Sequence, residues 1–166
     1  MKHNVKNVNT QRRSVLRLGA IAGLVGTGLL GMSTQGALAE DSPIYTSALN
    51  NDAVSGYDPV AYFTEGKPVK GIRQFRLKHK GADWLFSSQE NLDLFKNNSE
   101  KYEPQYGGHC AFNASKGKKI QGNPNNFKIV NDKLYFNYDS YTQSLWYKNQ
   151  AELIEKGDAN WPTVLR

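Results

Sequence analysis

The sequence contains a single cysteine, Cys110, among its 166 residues. Because an internal disulfide needs two thiols, none can form within the chain, and two-cysteine redox chemistry is excluded as well. Cys110 is therefore a buried thiol, a metal ligand, a reactive group or half of an intermolecular bridge. Histidine is scarce too, since only His3, His79 and His109 are present. The supply of ligands for a transition metal is correspondingly small.

Long apolar runs are also missing, apart from one glycine-rich run at residues 18–32. It is shorter than the roughly 20 apolar residues that a membrane-spanning helix needs. No later run is long or apolar enough to be a span, so the sequence predicts no stable membrane span once the start of the chain is removed. The alternative interpretation of residues 18–32 is an uncleaved membrane anchor.

This short apolar run lies between two features of an export signal. Arg12 and Arg13 precede it, and small residues follow it up to Ala39. Basic, apolar and small-residue regions in that order are typical of a secretory signal, and the arginine pair resembles the twin-arginine signal, which a transport receptor reads. We therefore predict a signal peptide at residues 1–39, cleavage after Ala39, the twin-arginine export machinery as a partner, and a periplasmic or otherwise exported location.

The net charge of +6 is concentrated in this predicted signal peptide. Five of the 21 basic residues and none of the 15 acidic residues precede residue 40, which leaves 16 basic against 15 acidic residues in the rest of the chain. A domain that binds nucleic acid needs a basic footprint of its own. The near-neutral balance therefore predicts no nucleic-acid partner.

Apolar alternation predicts four strands that pair as two antiparallel hairpins. The first hairpin joins residues 74–79 to residues 84–86 through a turn that contains a glycine. The second joins residues 127–130 to residues 133–136 through an Asn-Asp pair, whose members tolerate the left-handed conformations of tight hairpin turns.

Capping signals predict where the helices begin and end. Asp58, which precedes a proline, predicts the start of a short helix that Gly66 ends. Ser87 and Ser140, each followed three residues later by Glu or Gln, predict capping boxes that open two main helices. The second of these helices is expected to end near Gly157.

Together these elements predict one small α+β domain with two antiparallel β-hairpins, two main helices and a short N-terminal helix. The domain is expected to occupy residues 51–166, after a lead-in arm at residues 40–50. The stretch from residue 102 to residue 122 shows no clear period, so it is predicted to be mainly loop. The chain beyond residue 39 is long enough to bury a core without disulfides.

Several ordered motifs resemble the exported branch of the YHS-domain proteins. They are segments 56–63 and 84–88, Asn91 and Phe95, segments 100–102 and 104–111, hairpin residues 133–135, and the late Trp161-Pro162. The similarity covers nearly all of the chain after residue 39. It implies a function connected with transition metals, often copper, which the wider group binds through cysteines.

This chain departs from the cysteine pattern of that family. In metal-binding members a cysteine follows the Asp-Pro-Val segment, where this chain has Ala61. Two more cysteines flank the start of the helix after the second strand, whereas residues 86–91 contain none here. The resemblance therefore leaves Cys110, in a Gly-Gly-x-Cys-Ala segment, as the one candidate sulfur ligand.

Cys110, His109 and His79 make up the predicted metal site. Thiolate and imidazole together suit copper or another transition metal, and three protein ligands leave an open coordination position. Neighbouring residues of an extended segment point to opposite faces, so Cys110 and His109 share a metal only if the preceding glycines bend the backbone. The alternative is a buried thiol, a surface His109, and a His79 that is hydrogen-bonded at the rim of the core.

Three functions follow from these residues. The first is a non-enzymatic module that binds or handles a transition metal outside the cytoplasm, with copper favoured by the resemblance alone. The second is a metal-free module that binds a protein or a ligand through its aromatic-rich loop face. The third, ranked last, is a cysteine-dependent enzyme with Cys110 as nucleophile and His109 or His79 as base. No catalytic residue is predicted.

Overall fold

The computed structural model describes residues 42–47 and 49–164 of the chain. The predicted signal peptide, with Arg12, Arg13 and its cleavage point at Ala39, lies outside the described residues and stays a prediction. Within the described part of the chain, no helix has both the length and the apolar character needed to cross a membrane.

The described residues form an α+β fold with six α-helices and two two-stranded antiparallel sheets. In chain order the elements are α1 (Ala61–Thr64), β1 (Ile72–His79), β2 (Ala82–Phe86), α2 (Gln89–Asn97), α3 (Ser99–Tyr102), α4 (Ala111–Ala114), β3 (Asn123–Val130), β4 (Lys133–Asn137), α5 (Ser140–Lys148) and α6 (Gln150–Val164). Two 3-10 turns, Val54–Gly56 and Gln105–Gly108, flank the first half of the fold. The predicted α+β class and both predicted antiparallel hairpins are confirmed, whereas the single domain stays a prediction.

Both hairpins close through the turns that the sequence predicted. In the first, His79 pairs with Ala82, so that two residues connect β1 to β2. In the second, Val130 pairs with Lys133, and the two residues between them have φ values of 50° and 57°. Two consecutive positive φ values are the requirement of the type I′ turn, whose twist matches that of paired strands.

Strand β4 lies between two apolar clusters of the core. Because neighbouring strand residues point to opposite faces, Leu134 and Phe136 pack into one cluster and Tyr135 packs into the other. The buried members of the first cluster include Ile44, Val60, Tyr62, Trp84, Phe86, Phe95 and Tyr102. Those of the second include Tyr106, Ala111, Ala114, Trp146 and Leu153. Ile44, from the predicted lead-in arm, is therefore part of the core.

Asp58 connects three segments of the first half of the fold. Its side chain is fully buried, and one carboxylate oxygen accepts hydrogen bonds from the backbone N–H groups of Val60 (2.8 Å) and Ala61 (3.3 Å). The other oxygen accepts from the N–H and hydroxyl of Ser87 (2.8 and 2.7 Å) and from the side-chain amide of Asn91 (2.7 Å). Asp58 caps the first turn as predicted, and it also links that turn to the start of α2.

The predicted capping box at Ser87 is wrong by one residue. Ser88 is the N-cap of α2, because its backbone is extended and its hydroxyl accepts a hydrogen bond from the N–H of Asn91 (3.1 Å). The hydroxyl of Ser87 is instead bound to Asp58. A buried carboxylate is a stronger acceptor than a neutral partner, so a contact distant in sequence displaced the local one.

The predicted capping box at Ser140 is also wrong by one residue. Asp139 is the N-cap of α5, and its carboxylate accepts from the N–H of Thr142 (2.7 Å) while the Thr142 hydroxyl accepts from the Asp139 N–H (3.1 Å). The side chain of Gln143, which was expected to close the box, donates instead to the carbonyl of Phe127 in β3 (3.2 Å).

The predicted second main helix is divided into two helices, α5 and α6. Asn149 separates them with a non-helical backbone, and α6 then continues past Gly157 to Val164. Gly157 does not end the helix because it serves a packing role there. A Cβ atom at this position would lie 2.5 Å from the hydroxyl oxygen of Tyr106. The stretch predicted to be mainly loop also contains the helix α4.

Candidate functional site

Cys110 lies where the chain leaves the 3-10 turn Gln105–Gly108 and enters α4. Its side chain is fully buried, and its N–H donates to the carbonyl of Ile120 (2.8 Å). It also forms a parallel bridge with Phe136 of β4. These backbone contacts hold the buried thiol between the segment at Ile120 and strand β4.

Two asparagine side chains contact the sulfur of Cys110. The side-chain amide of Asn113 donates to Sγ (3.1 Å), and the thiol points to the carbonyl oxygen of Asn137 at 3.8 Å. The same oxygen accepts from the N–H of Phe112 (3.3 Å), which fixes the orientation of the Asn137 amide. Asn137 is fully buried, and its Nδ2 has no hydrogen-bond partner among the described residues. The immediate surroundings of the thiol are therefore neutral amides.

His109, next to this cysteine, is buried against aromatic rings instead of lying on the surface. Its Nδ1 is 2.9 Å from the carbonyl oxygen of Tyr106. Since a carbonyl only accepts, Nδ1 carries the proton in this contact. The imidazole ring packs against Trp161 of α6, with ring centroids 5.2 Å apart, and against Tyr45 at 5.7 Å.

His79 lies at the end of β1 and is paired with a carboxylate. Its Nε2 is 2.7 Å from one oxygen of Glu103, whose other oxygen is 2.7 Å from the ammonium nitrogen of Lys80. The ring packs against Phe95, in the first apolar cluster, at a centroid distance of 5.6 Å. His79 is thus held at the rim of the core by a buried glutamate.

The three predicted metal ligands have different partners in this structure. Cys110 contacts asparagines, His109 contacts Tyr106 and Trp161, and His79 contacts Glu103. Across residues 42–47 and 49–164, no group of three or more His, Cys, Asp or Glu side chains is arranged to hold a metal ion. The residues present therefore do not form a multi-ligand metal centre, and metal ligation by Cys110 with His109 stays a prediction.

A polar cleft of about 440 Å³ is lined in part by residues 121–124, at the start of β3. Its lining residues are Tyr45, Ser55, Gln121, Gly122, Asn123, Pro124, Tyr138 and Asp139. The hydroxyl of Tyr45 donates to the side-chain oxygen of Gln121 (3.2 Å), which joins the N-terminal arm to the cleft. This group of residues is called the polar cleft below.

The floor of the polar cleft depends on a close approach of two backbone segments. A Cβ atom at Gly122 would lie 2.4 Å from the carbonyl oxygen of Gly108 and 2.7 Å from the Cβ of Phe136. Only glycine leaves enough room for this approach. The cleft is thereby built against the segment that carries His109 and Cys110.

One charged group lines the polar cleft. Hydrogen bonds from the N–H and the hydroxyl of Thr142 lower the pKa of Asp139 below its usual value, so this carboxylate is ionised at neutral pH. Sequence reasoning missed Gln121, Asn123 and Asp139 as site residues. The first two lie in or beside a stretch predicted as loop, and Asp139 was passed over in favour of Ser140 as a cap.

Comparison with known families identifies one segment of the chain. Residues 60–106 match the family model of the YHS domain. No curated protein and no solved structure matches the chain. The matched YHS domain runs from the capped turn at Val60 through the first hairpin, α2 and α3 to Tyr106.

The YHS family is associated with metal handling, yet the matched segment of this chain contains no cysteine. Cys110 lies four residues beyond its end, and His79 is the one histidine inside it. Within the matched segment, the N–H of Ala61 and the side chains of Ser87 and Asn91 donate hydrogen bonds to Asp58, which lies just before it. A thiolate ligand for a metal would therefore have to come from beyond the matched segment.

Proposed function

We propose that this chain is a non-enzymatic YHS-domain protein that binds a small molecule in the polar cleft. The observation that carries this proposal is the cleft itself, about 440 Å³ in volume and lined by hydroxyl, amide and carboxylate groups beside two tyrosine rings. Ligand pockets of proteins have volumes of roughly 300–1,000 Å³ and combine apolar surface with a few convergent polar groups. The polar cleft has a volume within this range, and its two tyrosines and Pro124 supply the apolar part of a lining that is otherwise mainly polar.

Burial of the thiol supports a binding role over a cysteine-dependent enzyme. A nucleophile must reach its substrate and contact a base. Cys110 has no exposed surface, and its sulfur contacts two neutral asparagine amides. His109, the adjacent candidate base, donates from Nδ1 to a backbone carbonyl.

A fragment screen by NMR tests the proposal directly. We expect fragments with hydroxyl and amide groups to shift the backbone amide signals of Gly122, Asn123 and Tyr138, while signals from the exposed face of α2 stay unchanged. If no fragment of a chemically diverse library perturbs the cleft signals, the proposed function is wrong.

Transition-metal handling, with copper as the metal that the family resemblance favours, is the second candidate function. One observation favours it. The bond from His109 Nδ1 to the carbonyl of Tyr106 is the kind of contact that orients metal-binding imidazoles in other proteins. The neighbouring Cys110, the one cysteine of the chain, would supply a soft sulfur ligand.

Metal content and copper titration of the purified protein test this second function. Stoichiometric copper that is lost in Cys110→Ala and retained in His79→Gln would support a site at Cys110 and His109. Absence of binding in the wild-type protein and in both variants would leave the polar cleft as the functional site.

We further propose that the protein is exported by the twin-arginine machinery and acts in the periplasm. The support is the order of the arginine pair, the apolar run and the small residues before Glu40. Replacing both Arg12 and Arg13 with lysine should leave the precursor in the cytoplasm. The mature wild-type protein should begin at Glu40 when its N-terminus is sequenced, and an N-terminus at Met1 in the periplasmic fraction would contradict the predicted cleavage.

A further inference from the structure

Charge in the polar cleft restricts the class of ligand it can take. Among the described residues that line it, none is a lysine or an arginine. Phosphates and carboxylates therefore have no cationic side chain in the lining itself, and burying an unpaired anion is costly. Lys70 lies against the lining, but its ammonium group already donates to the carbonyl of Ser55 (2.9 Å). Asp139 is ionised and already accepts two hydrogen bonds from Thr142. These features disfavour an anionic ligand.

The hydrogen-bonding groups of the polar cleft point to a ligand rich in hydroxyl groups. The side-chain oxygens of Gln121 and Asn123 already accept hydrogen bonds, from Tyr45 and from the N–H of Asn125 respectively. Their amide NH₂ groups donate to no described residue, so they remain as donors for a ligand. The carboxylate of Asp139 and the tyrosine hydroxyls offer acceptors. A hydroxyl group, which both donates and accepts, matches this mixture.

Aromatic rings provide the apolar part of the same surface. Tyr45 and Tyr138 line the polar cleft, and Tyr138 remains 45% exposed. Tyr141 lies three residues further on, in the first turn of α5, and is 68% exposed. Exposed tyrosines present an apolar ring face together with a polar hydroxyl. A ligand that combines a flat apolar face with a rim of hydroxyl groups fits both properties.

We propose, building on the small-molecule binding proposed above, that the polar cleft binds neutral carbohydrate. A sugar ring presents C–H groups on its face, for Tyr138, and hydroxyl groups at its edge, for Gln121 and Asn123. A lipid chain would leave the amide donors and Asp139 unsatisfied, at a cost for each buried polar group. A nucleotide or phosphorylated ligand lacks a cationic partner in the lining.

Titration with neutral disaccharides tests this proposal. The probes are maltose, cellobiose and N,N′-diacetylchitobiose, added to isotope-labelled protein and followed by NMR. We expect at least one of them to shift the signals of Gly122 and Asn123 with a Kd of about 1 mM or tighter. Tyr138→Ala should weaken this binding by about tenfold, because it removes the ring face.

Two control variants keep the test specific. Tyr147→Ala removes a tyrosine of similar exposure, 47%, that does not line the cleft, and it should bind the sugar like the wild type. Tyr138→Phe retains the ring and should keep most of the affinity. Equal binding by Tyr138→Ala and wild type would overturn the assignment to the cleft.

The outcomes separate this inference from the proposed function. If none of the three disaccharides binds but polar fragments do shift the cleft signals, the carbohydrate assignment is wrong and small-molecule binding stands. If neither sugars nor fragments perturb the cleft, both proposals fail together.

Discussion

Replacing Asp58 with asparagine tests whether one buried carboxylate holds the first half of the fold together. The substitution keeps the size of the side chain and changes one oxygen into an NH₂ group, which donates but does not accept. Five hydrogen bonds end on the two oxygens of Asp58, from Val60, Ala61, Ser87 and Asn91. Whichever oxygen becomes the NH₂ group, at least one backbone N–H that donated to that oxygen then faces another donor.

The expected magnitude follows from the donors that lose their acceptor. If the amide nitrogen replaces the oxygen that faces Ser87 and Asn91, the serine hydroxyl can rotate and the Asn91 amide can turn its oxygen toward the new NH₂ group, but the Ser87 N–H loses its acceptor. A buried donor without a partner costs about 1–3 kcal/mol. One such donor, together with the charge-assisted hydrogen bonds that Asp58 no longer accepts, gives a loss of about 3 kcal/mol in the free energy of unfolding, which lowers Tm by about 10 °C for a chain of this size.

Urea denaturation and thermal melting of Asp58→Asn measure this loss. Asp93→Asn is the matched control, since Asp93 lies on α2, the helix whose start Asp58 binds, and accepts one exposed hydrogen bond from Gln89 (3.0 Å). The control should change the free energy of unfolding by no more than about 0.5 kcal/mol. If Asp58→Asn is as stable as this control, the reasoning about the buried carboxylate is refuted.

Three further predictions concern the packing and titration of buried groups. Gly157→Ala should destabilise the protein by about 1–2 kcal/mol in urea, although alanine favours helices, because its Cβ would meet the Tyr106 hydroxyl; a stabilised variant would contradict this. Cys110 should react with a thiol reagent only after denaturation, and rapid labelling of the native protein would show that the thiol is accessible. Burial raises the pKa of Tyr62, and it raises the pKa of Tyr135 to about 12. The stability that these two tyrosines contribute should therefore be complete below pH 10. It should fall from pH 10 to about 12 and beyond, by about 1.4 kcal/mol per pH unit for each tyrosine that ionises only in the unfolded state. Urea midpoints that do not change with pH in this range would contradict the prediction.

Local patterns were sufficient to predict the two hairpins. Alternation in β1 places Phe75 and Leu77 against the core, and the positive φ values at Asn131 and Asp132 are those that such residues tolerate. Both signals act between residues close in sequence. The hairpins could therefore be derived without knowing what they pack against.

The helix boundaries were less predictable because distant groups compete for the same side chains. Ser87 has the spacing of a capping residue, but Asp58, 29 residues earlier, binds its hydroxyl. Gly157 is a residue type that commonly ends a helix, but here it lies within α6, where the Tyr106 hydroxyl leaves no room for a side chain. Neither competitor is visible in a local window of sequence.

The residues of the polar cleft were not predicted, for a related reason. Chemical type and the family resemblance selected Cys110, His109 and His79, and each of these side chains has its own partner in the structure. The polar cleft instead uses ordinary residues such as Gln121 and Asn123, which become a site only when the fold brings them beside Tyr45 and Asp139. No motif marks such a site in advance.

The position of the YHS match bears on where the specific function of this chain lies. The matched residues 60–106 supply α1 to α3, the first hairpin and much of the first apolar cluster. Every residue that lines the polar cleft lies outside that range, and so do His109 and Cys110. Sequence shared with the family therefore accounts for the first hairpin and the helices α1 to α3, whereas the residues that line the polar cleft come from the chain on either side of it. Experiments on function should accordingly be directed at the residues from His109 to Asp139, and the YHS segment is better suited to tests of stability.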